Sequence, residues 1–344
     1  MRIYGTSLIT KFNKNNEMII AKNIDDLKDF NRETCVTIGN FDGVHMGHQK
    51  LISRTCEKAD ENNLASVVLT FDPHPLRVLV NSKTPPFITL TEQKLELIAQ
   101  YNPSCILMLP FDREMAALSP EEFIYKYLVQ HLSIKELVVG YDYALGKGRA
   151  GNYEVISELG RKYGYGVERL DPVIINDAVV SSTRIRDMVE AGNVWDVRPI
   201  LGRFFQVRGE VIHGMNRGGN LLGFPTANIR LDDELFPQKG VYAIRVEVDG
   251  KVYPGVANIG TNPTFGNDSI SVEAHILNFS KNIYGETIRV HFIQRIRSEK
   301  KFSGLDELKA RINRDIELAK AILAYPESKV RPGINLKETQ GNIK

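Results

Sequence analysis

The sequence predicts an α/β domain built on a parallel sheet, followed by an antiparallel β-barrel with a closing carboxyl-terminal helix. Three observations predict it. Residues 35–188 alternate short apolar runs with helical spacing, the apolar period becomes two from about residue 204, and 305–325 is one long amphipathic stretch. Strands that are apolar throughout and separated by helices are buried on both faces, as in a parallel sheet. Period-two runs joined by glycine-rich turns suit an antiparallel barrel or sandwich.

Taken in order, CVTIGNF (35–41) is an apolar run stopped by glycine, and QKLISRTCEKADENN (49–63) sets Leu51, Ile52, Thr55 and Ala59 on one helical side. ASVVLTF (65–71) is a second buried strand ended by DPHP, TEQKLELIAQY (91–101) is helical, and CILMLPF (105–111) is a third strand. SPEEFIYKYLVQHL (119–132) is the best-marked helix: Ser119 is the N-cap, Pro120 takes the first helical position and Glu122 completes a capping box. ELVVGYD (136–142) and GVERLDPV (166–173) are strands, while NYEVISELGRKYG (152–164) and STRIRDMVEAG (182–192) are helices. NVWDVRPILG (193–202) reads as a hinge or connector. Period-two runs follow at 204–213, 240–250, 251–260, 270–279 and 286–296. The expected division is 17–188, a linker at 189–201, a barrel domain at 202–325 and a polar, disordered tail at 326–344.

A chain of 344 residues fits two domains, at roughly 150 residues each. Its net charge of +2, from 44 basic and 42 acidic residues, leaves no electrostatic footprint for nucleic acid or an anionic membrane. The apolar runs are too short to span a bilayer, and the first residues lack the apolar core of a signal peptide. Cys35, Cys56 and Cys105 form no CxxC pair and read as reduced thiols of a cytoplasmic protein. The expected partners are small molecules, and a homo-oligomer is compatible with the sequence.

In parallel sheets of this kind the ligand sits beyond the carboxyl ends of the strands. GNFDGVHMGH (39–48), FDPHP (71–75) and GYDYALGKG (140–148) all fall there. His45 and His48 stand at a helix start, beside backbone N–H groups that suit a phosphate. Imidazoles there can donate to phosphate oxygens that gain charge in a transition state. As zinc ligands the two are an incomplete set. No GxGxxG follows the first strand, and GYDYALGKG has neither P-loop spacing nor Ser/Thr after Lys147. Lys147 and Arg149 are therefore either site cations or solvated loop charges. SSTRIR (181–186) could serve only as a helix cap. Asp72 and His74 sit in a loop that Pro73 and Pro75 stiffen whether or not it binds anything.

The second cluster is VIHGMNRGGNLLGFPTANIRL (211–231). Gly214, Gly218, Gly219 and Gly223 allow close approach of backbone to a ligand, and Arg217 adds a positive charge. Pro225 stiffens the PTAN turn, where Thr226 and Asn228 offer hard oxygen donors suited to Mg²⁺. In SVEAHILNF the period of two puts Glu273 and His275 on one face and Val272, Ala274 and Ile276 on the other. Taken alone, Glu273 reads as a solvated strand residue. GVANIGTNPTFG (255–266), with Asn258, Asn262 and Thr264, either lines a site or is a long turn.

GNFDGVHMGH resembles the HxGH signature of nucleotidyltransferases, and SSTRIR resembles their second motif. With TFDPHP, LPFDREMAALSPEEF and the glycine-rich PTAN segment, nearly the whole chain resembles the bacterial bifunctional riboflavin kinase/FAD synthetase family. The resemblance implies a Rossmann-type FMN adenylyltransferase domain and a riboflavin kinase-like barrel. It implies ATP-dependent phosphorylation of riboflavin to FMN, then adenylylation of FMN to FAD with release of pyrophosphate, with Mg²⁺ as cofactor. By the resemblance His45 and His48 contact ATP phosphates, and Ser182, Thr183 and Arg186 hold the outgoing pyrophosphate. Gly39, Asn40, Phe41, Asp42, Gly43 and Asp142 belong to its binding loops. On the barrel, Gly214, Arg217, Gly223, Pro225 and Asn258 would bind nucleotide or flavin, Thr226 and Asn228 would hold Mg²⁺, and Glu273 would be the base. One departure stands out: DYALG (142–146) replaces a DFxFG-like stretch, so Tyr143 keeps one aromatic and Leu145 replaces the other. The alternatives are a nucleotidyltransferase for another phosphorylated substrate with an unrelated barrel, or a non-catalytic flavin- or nucleotide-binding regulator. Riboflavin binding and turnover separate the three.

Overall fold

Both faces of the amino-terminal strands are apolar, and both are covered in the structure, a computed structural model that describes residues 18–80, 84–213, 223–231, 234–261, 270–300 and 302–330. Gly214, Arg217, Asn262, Thr264 and the tail beyond 330 lie outside the described residues. Contacts divide the chain into two units. Among the described residues, one unit holds 18–85 and Leu90–Val180, and the other holds Pro86–Thr89 and 181–330.

In the first unit, β1 (Ile19–Ala21), β2 (Thr34–Ile38), β3 (Ala65–Asp72), β4 (Cys105–Pro110), β5 (Ile134–Gly140) and β6 (Gly166–Leu170) pair in parallel. Their order is β1-β4-β3-β2-β5-β6. Alternation sends Val36, Val67, Leu107 and Leu137 into one core, and Val68 and Ile106 into another on the opposite face. The helices are α1 (Met46–Glu61), α2 (Pro75–Leu79), α3 (Thr91–Ala99), α4 (Arg113–Ala117), α5 (Pro120–Phe123) and α6 (Tyr153–Tyr163), and a small hairpin pairs β7 (Ile174–Ile175) with β8 (Ala178–Val179). The capping box forms as the sequence predicts: Glu122 N–H donates to Ser119 Oγ at 3.2 Å, and Ser119 N–H donates to the Glu122 carboxylate at 2.8 Å. Beyond Phe123 the helix widens into a π-helical stretch, Ile124–Val129.

The strand order places the site. From β2 the chain steps through β3 to β4 on one side, then returns to β5 on the other side of β2. The direction of winding reverses between β2 and β5, so the loops leaving these two strands border a ligand crevice. Those loops are GNFDGVH and YDYALG.

The second unit holds α7 (Ser182–Glu190) and α8 (Val194–Leu201), then β9 (Phe205–Ile212), β10 (Ala227–Arg230), β11 (Gly240–Val248), β12 (Lys251–Thr261), β13 (Ile270–Ile276), β14 (Thr287–Arg297) and α9 (Leu305–Ala324). The strands close a barrel in the order β10-β13-β12-β11-β14-β9, every neighbour antiparallel. Helix α9 covers part of its outer face, where Ala319 and Leu323 join Phe204, Ala243 and Ile293.

Several segments differ from the sequence expectation. The expected linker 189–201 is largely helical: α8 buries Val194, Val197, Ile200 and Leu201 and packs on β14 and β9. Pro199 inside the segment hides that apolar stripe. Because α7 and α8 group with the barrel, the contact boundary falls at Val180/Ser181. PTAN runs into a strand, β10, and the strand expected at 251–260 forms and extends to Thr261. Past α9, Pro326–Ser328 form a 3-10 turn with Ser328 buried, so order extends into the expected tail. Arg245 closes that end of the helix, donating to the carbonyls of Leu323 and Ser328, each at 2.7 Å.

Candidate functional site

The turn after β2 is built for close contact. Phe41 (φ 50°), Gly43 (φ 85°) and Val44 (φ 37°) are all left-handed, and Phe41, Asp42, Gly43 and Val44 are buried. A Cβ at Gly39 would lie 3.0 Å from the Phe41 ring, and one at Gly47 would lie 3.1 Å from the His45 ring. Glycine at both positions leaves room for these side chains.

His45 caps α1: its Nδ1 accepts the His48 N–H at 3.3 Å. The two imidazoles stack with centroids 3.6 Å apart and planes 16° from parallel, and Phe41 meets the His48 ring edge-on at 5.3 Å. The structure therefore brings His45 and His48 together at a helix start, on the crevice where the sheet winding reverses. Asp42 is buried, while Asn40 and Asp142 are exposed.

Lys94 carries no signal in the sequence that marks it as part of this site. It is 5% exposed, and its ammonium donates to the carbonyls of Asn40 at 3.3 Å and Phe71 at 3.2 Å. Burial pulls its pKa below the ordinary lysine value, against the attraction of Asp72 and Asp42. Thr91 Oγ1 donates to Asp72 Oδ1 at 3.0 Å. His74 caps α2, its Nδ1 accepting the Leu76 N–H at 3.2 Å.

The altered DYALG loop turns inward. Leu145 is in the core and exchanges backbone hydrogen bonds with Gly151, while Tyr143 packs against the same core. The Tyr143 hydroxyl is buried without a hydrogen-bond partner among the described residues, and burial raises its pKa. Arg149 donates to the Asp142 carbonyl at 2.9 Å.

In the second unit Ser181, not Ser182, caps α7, accepting the Arg184 N–H at 3.2 Å. Ser182 and Thr183 occupy its first turn, and Arg186 Nε donates to the Pro86 carbonyl at 3.0 Å.

The barrel places three predicted residues in one row. Asn228 on β10 lies directly opposite Glu273 on β13, and Glu273 lies directly opposite Asn258 on β12. Residues paired this way share a face, and here it is the outer one, since Val272, Ala274 and Ala257 are fully buried. Thr226, Asn258 and Glu273 line a cavity of about 380 Å³, together with Arg297 and with Asp315 and Ile312 of α9. Burial raises the Glu273 pKa above the ordinary glutamate value. Arg297 donates to the buried Asp315 at 2.8 Å, and Arg311 pairs with Asp315 at 3.1 Å. A second cavity of about 440 Å³ shares Thr226 and is otherwise lined by Pro225, Ala227, Ala274, Phe279 and Tyr284, among others. His275 Nδ1 is 2.7 Å from the Pro225 carbonyl and so braces the PTAN segment. Gly223 is left-handed at φ 79°.

Thr226 and Asn228 are the hard-oxygen donors here that suit Mg²⁺. Among the described residues no group of three or more His, Cys, Asp or Glu could hold a metal on its own.

Residues 27–184 match the family described as FAD synthetase, and residues 201–323 match that described as riboflavin kinase. The bifunctional riboflavin kinase/FMN adenylyltransferase of Escherichia coli K12 is 39% identical over 300 residues, spanning 87% of this chain and 96% of that protein. Its namesake from Haemophilus influenzae is 37% identical over 287 residues, spanning 83% and 93%. A crystal structure described as a macrolide-efflux protein from Streptococcus pneumoniae is 30% identical, with a TM-score of 0.78 over 88% of this chain and 98% of that one. Among the described residues no helix is long and apolar enough to cross a membrane.

Proposed function

The chain belongs to the bifunctional riboflavin kinase/FMN adenylyltransferase family, and from that premise we propose which residues carry each of its two reactions. The protein phosphorylates riboflavin with ATP to give FMN, then adenylylates FMN with a second ATP to give FAD and pyrophosphate. The riboflavin kinase match over 201–323 argues against an unrelated barrel.

The kinase reading is carried by the row Asn228–Glu273–Asn258 above the cavity. Glu273 accepts the proton of the flavin's primary hydroxyl as that oxygen attacks the γ-phosphorus. A raised pKa makes it a stronger base than an exposed glutamate. Thr226 and Asn228 hold the Mg²⁺, which neutralises charge on the transferring phosphoryl group. The two cavities that meet at Thr226 suit the two substrates, the flavin beside Glu273 and the nucleotide beside Tyr284.

For adenylyl transfer, the FMN phosphate attacks the α-phosphorus and pyrophosphate leaves. The nucleophile is already an anion, so no base is required. His45 and His48 donate to the phosphates as charge moves onto the leaving group. Ser182, Thr183 and Arg186 remain our assignment for the outgoing pyrophosphate; a guanidinium suits a polyphosphate through paired hydrogen bonds.

Cys35, Cys56 and Cys105 are free thiols, and burial pushes Cys35 up to about 12. This supports a cytoplasmic enzyme.

The test is chromatography of the products from riboflavin and ATP, with Mg²⁺ and with excess EDTA. FMN followed by FAD is expected with Mg²⁺, and neither with EDTA. FMN formation that survives EDTA would overturn the metal assignment. FMN without FAD would leave the imidazole site with no function in flavin chemistry.

A further inference from the structure

Helix α3 grips the carboxyl ends of two strands at three points. Thr91 holds Asp72 at 3.0 Å, and the Lys94 ammonium holds the carbonyls of Asn40 at 3.3 Å and Phe71 at 3.2 Å. Asn40 begins the turn that ends in His45, and Phe71 lies at the end of β3. Lys94 is 5% exposed, and the charges acting on it are the carboxylates of Asp42 and Asp72. A buried ammonium is costly unless its hydrogen bonds and counter-charges are in place. None of the steps above uses it.

The turn it holds needs support. Val44 is β-branched and left-handed at φ 37°, and Phe41 is left-handed at φ 50°. Such a backbone persists only where surrounding contacts fix it. The Asn40 carbonyl receives two donors, Lys94 and Thr70 Oγ1, each at 3.3 Å. The Val44 carbonyl receives Gln49 Nε2 at 2.8 Å. The next residue is His45, the cap that stacks on His48.

We propose that Lys94 is a positioning residue for adenylyl transfer: by tying the Asn40 carbonyl to the end of β3, it sets the turn that aims His45 and His48 at the nucleotide phosphates. The proposal rests on the assignment of adenylyl transfer to this site. Its hydrogen-bond partners are backbone carbonyls, so its loss acts on the rate of the chemical step more than on ATP binding. A misplacement of about 1 Å in such a site costs about 10²-fold.

The test uses the full chain and compares Lys94→Met with His48→Ala. The kcat and KM for ATP are measured separately with supplied FMN, and riboflavin phosphorylation by the same preparations serves as the control. Lys94→Met is expected to lower kcat for FAD formation about 10²-fold and to shift KM less than about threefold. Riboflavin phosphorylation should be unchanged. A kcat within about threefold of wild type overturns the proposal; so does a raised KM at unchanged kcat, which would make Lys94 a phosphate ligand. If the Met variant does not fold, Lys94→Gln, which keeps N–H donors without the charge, is read by the same criteria. An active His48→Ala would bring down the site assignment itself. An inactive His48→Ala beside an active Lys94→Met would bring down only the role of Lys94.

Discussion

His48→Ala protein should convert riboflavin to FMN at the wild-type rate and make FAD about 10²–10³-fold more slowly, the usual effect of removing one donor to a charged transition state. His48 is a cleaner probe than its neighbour. The His45 Nδ1 accepts the His48 N–H at 3.3 Å, so the proton of neutral His45 sits on Nε2, which becomes its donor. Truncating His45 would also remove a helix cap, at about 0.5–2 kcal/mol. The His48 ring is not part of that cap; only its backbone N–H is. Rates of FAD formation from supplied FMN, alongside kinase rates, check this. Equal loss of both activities would defeat the assignment of the two reactions to separate sites.

The complementary variant is Glu273→Gln. It should lower riboflavin phosphorylation by about 10²–10⁴-fold, the range general-base catalysis contributes, and still adenylylate supplied FMN. The wild-type kinase rate should rise with pH as Glu273 ionises, and that rise should lie above the ordinary glutamate range because burial disfavours the charge. The same shift carries a stability cost of defined sign. The protonated carboxyl fits the folded barrel better than the ionised one. Its stabilisation is complete below the ordinary glutamate pKa and is lost as pH rises through the raised value. The acidic limb should therefore show a slower kinase on a more stable barrel, and Gln should erase both dependences. A wild-type pH–rate profile without an acidic limb would rule out Glu273 as the base.

The strands of the first unit were legible because both their faces are buried and their apolar runs are continuous. The capping box at Ser119 was legible because all its parts lie within four residues. What escaped was short or disguised. β1 has three residues and pairs along a single neighbour, β4. Pro199 masked α8, and the turn formers of PTAN masked β10. The pairing of the two imidazoles could be read because they stand three residues apart at a helix start; strand alternation put Glu273 on a face but left it a solvated residue, and only the resemblance made it the base. Lys94 could not. Its partners are backbone carbonyls 54 and 23 residues away, and every side chain from Gln93 to Ala99 is buried, so that stretch offers no solvent face against which an inward lysine would stand out.

The helical segment before the barrel decides where this gene could be cut. A fragment starting at 202 would strip α8 from β14 and β9 and leave their apolar surface open to water, an invitation to self-association. A fragment starting at 181 keeps that cover. The stretch similar to FAD synthetases runs to residue 184, so the boundary drawn by packing, at Val180/Ser181, falls just inside that stretch. An organism that split the gene would have to leave α7 and α8 with the kinase. Light scattering of the 181–330 and 202–330 fragments should find the first monodisperse and the second aggregated; a monodisperse second fragment would show that α8 is dispensable.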